Sequence, residues 1–292
     1  MNLKKQNPIK RIMSTRGMGG ALTAFVGLII IYIAFGIINP TVFSGQNNMN
    51  LLRSMSKYLL IGIGQSYLLI TGNIDLSIGS VAGMSAMISA TLMTMGVHPI
   101  LAILIAMCSC LLIGVLNGFL VGKWQLPPFI ATLGTMFVAR GVAYMVNGNR
   151  NTDAIASGIG KEAAESFQNF FYYGKTFGVY NTFWIAIILF VVFFFLLAKT
   201  RTGRHIYAIG SNVEAAKLSG VSVLSTTTKA YLVSSFCSCV VGLILCGQAG
   251  MGNMEAGNMY EMYGVAAGVI GGISPLGGTG ILLGTLAGAA VW

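Results

Sequence analysis

The chain has 292 residues, 55% of them hydrophobic and only 8% charged, with a mean hydropathy of +0.79 and a formal net charge of +10. A soluble domain carries about 25% charged residues, and a water-soluble protein of this composition would leave a large apolar surface exposed. Soluble enzyme and nucleic-acid-binding classes are therefore excluded. The expected fold is an all-α polytopic membrane protein set in a lipid bilayer, its positive excess on the cytoplasmic side rather than against a nucleic acid.

A helix needs roughly 20 mostly apolar residues to cross a hydrocarbon core of about 30 Å, which gives room for about eight to ten transmembrane helices. Residues 1–17 hold Lys4, Lys5, Lys10, Arg11 and Arg16 and no acid, and read as a basic cytoplasmic tail. Ala21–Ile38 follows as an uncharged run ended by Asn39-Pro40, too long for a signal-peptide core and lacking a small-residue cleavage site. It is read as an uncleaved first span with the amino terminus inside. Tyr58–Thr71, Ile78–Met95, Pro99–Val121, Phe129–Val146, Phe183–Ala198, Ser225–Gly247, Tyr260–Gly272 and Ile281–Trp292 complete the apolar segments.

Counting spans from an internal amino terminus puts 147–182 outside and 199–224 inside. The first region balances Arg150, Lys161 and Lys175 against Asp153, Glu162 and Glu165, whereas the second sets Lys199, Arg201, Arg204 and Lys217 against Glu214 alone. Parity and the positive-inside rule agree.

Tyr58–Thr71 and Tyr260–Gly272 are short for spans, and each runs into a polar or Gly/Pro-rich stretch, 72–77 and 273–278. Such interruptions predict discontinuous helices, tolerated only where protein or a water-filled cavity satisfies the freed backbone. Gly79-Ser80-Val81-Ala82-Gly83 also parallels Gly284-Thr285-Leu286-Ala287-Gly288, either as a faint internal repeat or as the chance likeness of Gly-rich helices. Ile281–Trp292 would make only about 18 Å of helix, so the chain is expected either to be truncated at its carboxyl end or to end in a segment that a partner buries.

In the inner loop, Ser211-Asn212-Val213-Glu214 has the spacing of a capping box, with Ser211 at the N-cap and Glu214 at N3, and Gly220 sits where a helix-terminating glycine would. The short polar helix between them suits docking on a cytoplasmic partner; an ordinary amphipathic connector is the other reading. Asp75 or Ser77 is expected to cap the helix starting near Ile78, with pathway lining or gating by Asp75 as the competing role. Arg140 either snorkels to the nearby membrane face or makes an internal ion pair. Glu261 is either a solvated span end or a gate. Gln65 and Asn117 are expected to make interhelical hydrogen bonds. Tyr32, Phe35 and Phe193-Phe194-Phe195 read as packing or lipid-facing residues. The five cysteines lie in apolar runs and read as inert, and His98 and His205 are placed in loops.

Four stretches carry a family resemblance. Glu214-Ala215-Ala216 followed by Gly220 is similar to the EAA loop of permease subunits in bacterial ABC importers. TGNIDLSIGSVAG (71–83), PFIATLGTMFVARG (128–141) and VAAGVIGGISPLGGTGILLGTLAGA (265–289) resemble the ribose/xylose/galactose branch of those permeases, as does YAIGSNVEAAKLSGV (207–221). The likeness runs from about residue 45 onward. Asn73 stands where the family often has Gly, Tyr263 stands where it has Asp, and family members continue past the position of Trp292.

The resemblance implies a single permease domain over 18–292 with a coupling loop at 199–224, in a bacterial cytoplasmic membrane. Ser211, Glu214, Ala215, Ala216 and Gly220 would form the ATPase-coupling helix, and Asn73, Asp75, Arg140 and Glu261 would line or gate the path. Its partners would be cytoplasmic ABC ATPase subunits, a second permease copy (a homodimer) or a sister permease, and an extracytoplasmic sugar-binding protein. No cofactor is expected on this chain: Gly277-Gly278-Thr279-Gly280 lacks the lysine of a phosphate loop, so ATP and Mg would be used by the partner ATPase. Competing readings are a secondary transporter or channel, or an ABC permease for a nucleoside, a signalling furanose or a branched-chain amino acid.

Overall fold

Apolar runs fold as helices in lipid because every backbone N–H and C=O must find its partner within the protein. The computed structural model describes residues 18–291; the basic segment 1–17 lies outside the described residues. Among the described residues five helices are long and apolar enough to cross a membrane: Met18–Ile38 (α1), Pro99–Gly122, Pro128–Met145, Asn181–Lys199 and Val223–Ala249. Of α1 only Ala21, Ala24 and Gly36 are buried, so most of its surface faces outward.

The second helix, α2, runs Gly45–Ile70, 26 residues, and corrects the expected short span from Tyr58. The Ser44 hydroxyl accepts the Asn47 amide at 3.2 Å, which starts the helix thirteen residues earlier than hydropathy alone suggests. Polar residues such as Asn47, Asn48 and Arg53 lower hydropathy without breaking a helix. Burial begins at Ser56, so only the second half of α2 enters the core.

After α2 the chain forms α3 (Ile78–Thr94), α4 (Pro99–Gly122) and α5 (Pro128–Met145). Two short helices, α6 (Ala156–Ile159) and α7 (Lys161–Gln168), a π-helical turn at 169–173 and a two-stranded hairpin follow. The hairpin pairs β1 (Lys175–Thr176) with β2 (Val179–Tyr180) antiparallel, Lys175 opposite Tyr180. This cap is stitched to the bundle where Thr152 N–H donates to Gly252 O (3.0 Å) and Ile155 N–H to Gly250 O (2.9 Å). Next come α8 (Asn181–Lys199), α9 (Arg201–Ser211), α10 (Val213–Leu218), α11 (Val223–Ala249), α12 (Tyr260–Ile270) and α13 (Leu282–Ala290). His205 thus lies in α9 rather than in a loop, while His98 is the N-cap of α4.

The core is built on α11, buried along most of its length and packed against α2, α3 and α4. One of these contacts follows a small-residue stripe on α4. Cys110, Gly114, Gly118 and Gly122 recur every fourth residue, hence on one face. A Cβ on Gly114 would meet Ser235 Oγ at 2.7 Å, and one on Gly118 would meet Thr228 Cα at 2.5 Å. Small side chains let helix backbones approach closely, which is how helices associate where lipid removes the hydrophobic drive.

Both α2 and α12 end on a left-handed glycine, Gly72 at φ +77° and Gly272 at φ +84°. In each, two turn bonds close the helix: Gly72 N–H to Leu69 O and Asn73 N–H to Leu68 O, then Gly272 N–H to Val269 O and Ile273 N–H to Gly268 O. The glycine pairs of the helices that follow meet different neighbours. Gly79 and Gly83 of α3 lie against the backbone at 256–257, and Gly284 and Gly288 of α13 against Gly271 and Ala267. The expected interruptions are therefore present as loops 71–77 and 271–281.

Replacing Gly118 with Val is expected to destabilise the protein by about 1–3 kcal/mol, the usual overpacking penalty. Val at Gly134, where a Cβ meets nothing within 4 Å, should fall within about 0.5 kcal/mol of wild type. Equilibrium unfolding in mixed detergent checks the difference, and equal loss at both positions would contradict the stripe.

Candidate functional site

The loop between α8 and α11 folds as two helices because its polar residues supply caps. Thr200 Oγ1 accepts the Gly203 amide at 3.4 Å to start α9. Asn212, extended at φ −167°, then accepts the Ala215 amide at 2.9 Å and starts α10. The N-cap is thus Asn212, not Ser211. Residues up to Ser211 are already helical, so the chain can turn only at Asn212, whose side chain caps as well as serine. Glu214 consequently falls at N2, outside a capping box, and its carboxylate accepts from Lys217 Nζ at 2.8 Å. The carboxylate also lies at the positive end of the helix dipole.

Gly220 is the expected terminator. At φ +80° it closes α10 with Gly220 N–H to Lys217 O (2.9 Å) and Val221 N–H to Ala216 O (3.0 Å). Ala216 faces inward, whereas Glu214, Ala215 and Leu218 face outward, Leu218 being 91% exposed.

This capped loop is seated on both helix breaks. Gly210 of α9 lies directly against Ile70 O and Gly278 N, and the Gly278 amide itself donates to Ile70 O at 2.9 Å. The Tyr207 hydroxyl donates to Gly280 O at 2.8 Å, and burial pushes that phenol up to about 12. Thr71, Asn73, Val213, Glu214 and Lys217 share a groove of about 280 Å³ with the 125–128 turn. Asn73 itself serves locally, donating from Nδ2 to Thr71 Oγ1 at 2.8 Å at the end of α2.

Beyond Asn73 the chain turns into the bundle. Asp75 is 1% exposed, and neither it nor Ser77 bonds the first turn of α3 as a cap. Instead Asp75 Oδ1 accepts from the Ser77 amide (2.8 Å) and hydroxyl (2.5 Å), and Oδ2 accepts from Ser234 Oγ of α11 (2.7 Å). Asn117 Nδ2 donates to Ser77 Oγ, and Thr135 Oγ1 donates to Asn117 Oδ1 at 2.7 Å. Leu76 N–H reaches Thr132 Oγ1, and Tyr231 donates to Ile74 O. One break is thereby tied to α4, α5 and α11. Asn117 makes the interhelical bonds expected of it; Gln65 makes none.

Among the described residues Arg140 makes no internal ion pair. Its Nη1 donates to Met254 O (2.8 Å) and Ala256 O (3.0 Å), holding the segment before α12 against α5. Glu261 lies beside Gly79 of α3, within Coulombic reach of both Arg140 and Asp75. The structure therefore gathers Asp75, Arg140 and Glu261 around the start of α3, and groups Asn73 with Glu214 at the loop end. Among the described residues no group of three or more His, Cys, Asp or Glu could hold a metal ion. The sequence reading missed Tyr207, Gly210, Thr132 and Ser234. Only Gly210 left a trace there, as a glycine inside an otherwise helical stretch.

A bundle of apolar spans with two interrupted helices and an outward-facing capped helix defines a polytopic membrane permease. The chain belongs to the family described as the branched-chain amino acid transport system / permease component, which matches residues 47–291; it is a transport component, not an enzyme. It is 34% identical over 268 residues to a ribose import permease protein of Haemophilus influenzae, covering 92% of this chain and 81% of that one. A galactose/methyl galactoside import permease protein of the same organism is 34% identical over 278 residues, 90% of this chain and 82% of the relative. An autoinducer 2 import system permease protein of Salmonella typhi is 29% identical over 267 residues, 91% and 74% of the two chains. No solved structure matches the chain.

Asp75→Asn is expected to stay within about 1 kcal/mol of wild type, because the amide keeps one acceptor and Ser234 can rotate to accept. Asp75→Leu leaves the Ser77 and Ser234 donors unpaired and should cost several kcal/mol in all, at about 1–3 each. Thermal unfolding of the purified protein separates the two.

Proposed function

We propose that this chain is the membrane-spanning subunit of an ATP-binding-cassette importer for a simple sugar, a ribose-like pentose or a hexose. The observation that carries the reading is the match, over more than four-fifths of their length, to relatives that import ribose and galactose. The exposed helix α10, seated through α9 on both helix breaks, supports it, since that is where a cytoplasmic ATPase would push. A signalling molecule is the second reading, favoured by the autoinducer relative.

In this reading residues 18–292 act as one permease domain in the cytoplasmic membrane, with 199–224 and the tail 1–17 inside and the 146–180 cap outside. The charge supports that orientation: four basic residues oppose one acid in the loop, against balance in the cap. The chain pairs with a second copy, and an extracytoplasmic binding protein delivers the sugar at the cap. ATP and Mg are used by the partner ATPases and no cofactor binds here. ATP-driven closure of the ATPases moves Ser211, Glu214, Ala215, Ala216 and Gly220 as one capped unit. Gly210 and Tyr207 pass that displacement to the 71–77 and 271–281 loops, and Asp75, Arg140 and Glu261 sit where the response reaches the path.

Co-expression with its ATPase and binding protein tests this. Wild type should take up ribose and retain the ATPase through purification. Gly220→Val, strained at φ +80°, should lose the ATPase while inserting normally; normal association would remove α10 from the docking role. Cysteines placed at Ser166 and Ser211 should label from opposite sides of the membrane, and labelling from one side would overturn the orientation.

A further inference from the structure

Asn117 and Gln65 are both long polar amides on apolar helices, and they meet opposite fates. Asn117 is fully bonded, whereas Gln65 is 0% exposed and neither its Oε1 nor its Nε2 has a partner among the described residues. Native interiors rarely leave such groups unpaired. The Thr91 and Ser235 hydroxyls are also unpaired, but each is a single rotor on a helix, able to turn to its own backbone. An amide with one acceptor and two donors has no such outlet.

Gln65 occupies a definite seam. The face of α2 carrying Tyr58, Ile61, Gln65 and Leu69 meets α12. Tyr58 packs its ring on Tyr260 (5.9 Å between centroids) and Tyr263 (5.3 Å). One turn deeper a Cβ on Gly264 would meet Ile61 and Gln65, and deeper still Gly268 faces Leu69. Opposite Gln65 and Leu69 themselves the α12 side of the seam is glycine, Gly264 and Gly268. The three tyrosines are half-buried. Tyrosine presents a flat apolar face together with a hydroxyl, which suits the C–H face and hydroxyls of a sugar ring.

The helix on the far side is short and bounded at both ends by left-handed residues, Met259 at φ +66° and Gly272 at φ +84°. A positive φ is unusual for methionine, and such positions cluster at sites that move or bind. Eleven residues between two such joints can swing as a unit. A transporter needs at least two states, and a ligand shifts their balance only through interactions that differ between them. An amide unpaired when the seam is closed and paired when a solute enters supplies that difference.

We propose that the α2–α12 seam is a transient site for the sugar in transit, where Tyr58, Tyr260 and Tyr263 form the stacking surface and Gln65 hydrogen-bonds a solute hydroxyl. This rests on the sugar-import reading above. The ligand class is a neutral polyhydroxylated ring, since Gln65 offers hydrogen bonds without charge. Gln65 is a specificity-determining residue, while Tyr58 sets how readily the ring enters.

The test is uptake by the full importer, reconstituted with its ATPase and binding protein, using ribose and its monodeoxy analogues as probes. Wild type should move ribose faster than at least one analogue at saturating binding protein. Gln65→Met, close in shape but without the amide, should shrink that preference by about threefold to tenfold. Tyr58→Leu should slow all the sugars together. Should Gln65→Met fail to assemble, Gln65→Asn, which keeps the amide but shortens its reach, is read by the same ratio. An unchanged preference in an assembled Gln65 variant overturns the site, as does equal slowing of every sugar by that variant, which marks a structural role. A wild-type importer that moves no sugar at all overturns the import reading itself, and the two failures are thereby distinct.

Discussion

The carbonyl of Ile70 is where three parts of the chain meet without side chains between them. It accepts the Gly278 amide at 2.9 Å and lies against Gly210 of α9. One oxygen at the end of α2 thus touches the loop after α12 and the loop that carries α10. Such contact needs glycine on the approaching backbones and satisfied hydrogen bonds at each helix end. The left-handed glycines at 72, 220 and 272 supply the second requirement, and Gly210 and Gly278 supply the first. No flexible side chain lies between α9 and the two breaks here, so a displacement of α9 would meet backbone directly.

From that junction the two breaks differ in how firmly they are held. Loop 71–77 is tied by Asp75, Ser77, Asn117, Thr132, Thr135 and Ser234 to three helices at once. Loop 271–281 has turn bonds, the Ile70 carbonyl and the Tyr207 hydroxyl. The side of the bundle built from α3, α4 and α5 is thus locked to α11 by buried polar groups, which are stiff when fully paired. The short pair α12 and α13, packed through Gly271, Gly284, Ala267 and Gly288, is tied to α2 by the Ser66–Thr285 hydroxyl pair, and Arg140 holds the segment leading into it.

The fold class and the existence of the spans were legible in composition and hydropathy, because lipid leaves few alternatives to apolar helix. The start of α2 was not, since the polar residues after Ser44 lower hydropathy without stopping a helix. Gly220 was legible because a left-handed helix end demands glycine, but Ser211 was misplaced as the cap because α9 gave little apolar signal and its helical end displaced the cap to Asn212. Asp75 was recognised as unusual, yet its partner Ser234 lies 159 residues away, and only packing brings them together. The partners of Arg140 were hidden for a related reason: they are backbone carbonyls, which every residue carries and no sequence pattern marks.

Substituting Val for Gly210 tests the central claim most directly, because its side chain would overlap Ile70 O while leaving the outer face of α10 intact. In the importer reconstituted with its ATPase and binding protein, the account predicts normal ATPase association and hydrolysis with uptake reduced at least about tenfold, a change of about 1.4 kcal/mol in the coupled step. Uptake at the wild-type rate in that assembled variant would show that the loop and the breaks are not mechanically joined through this contact.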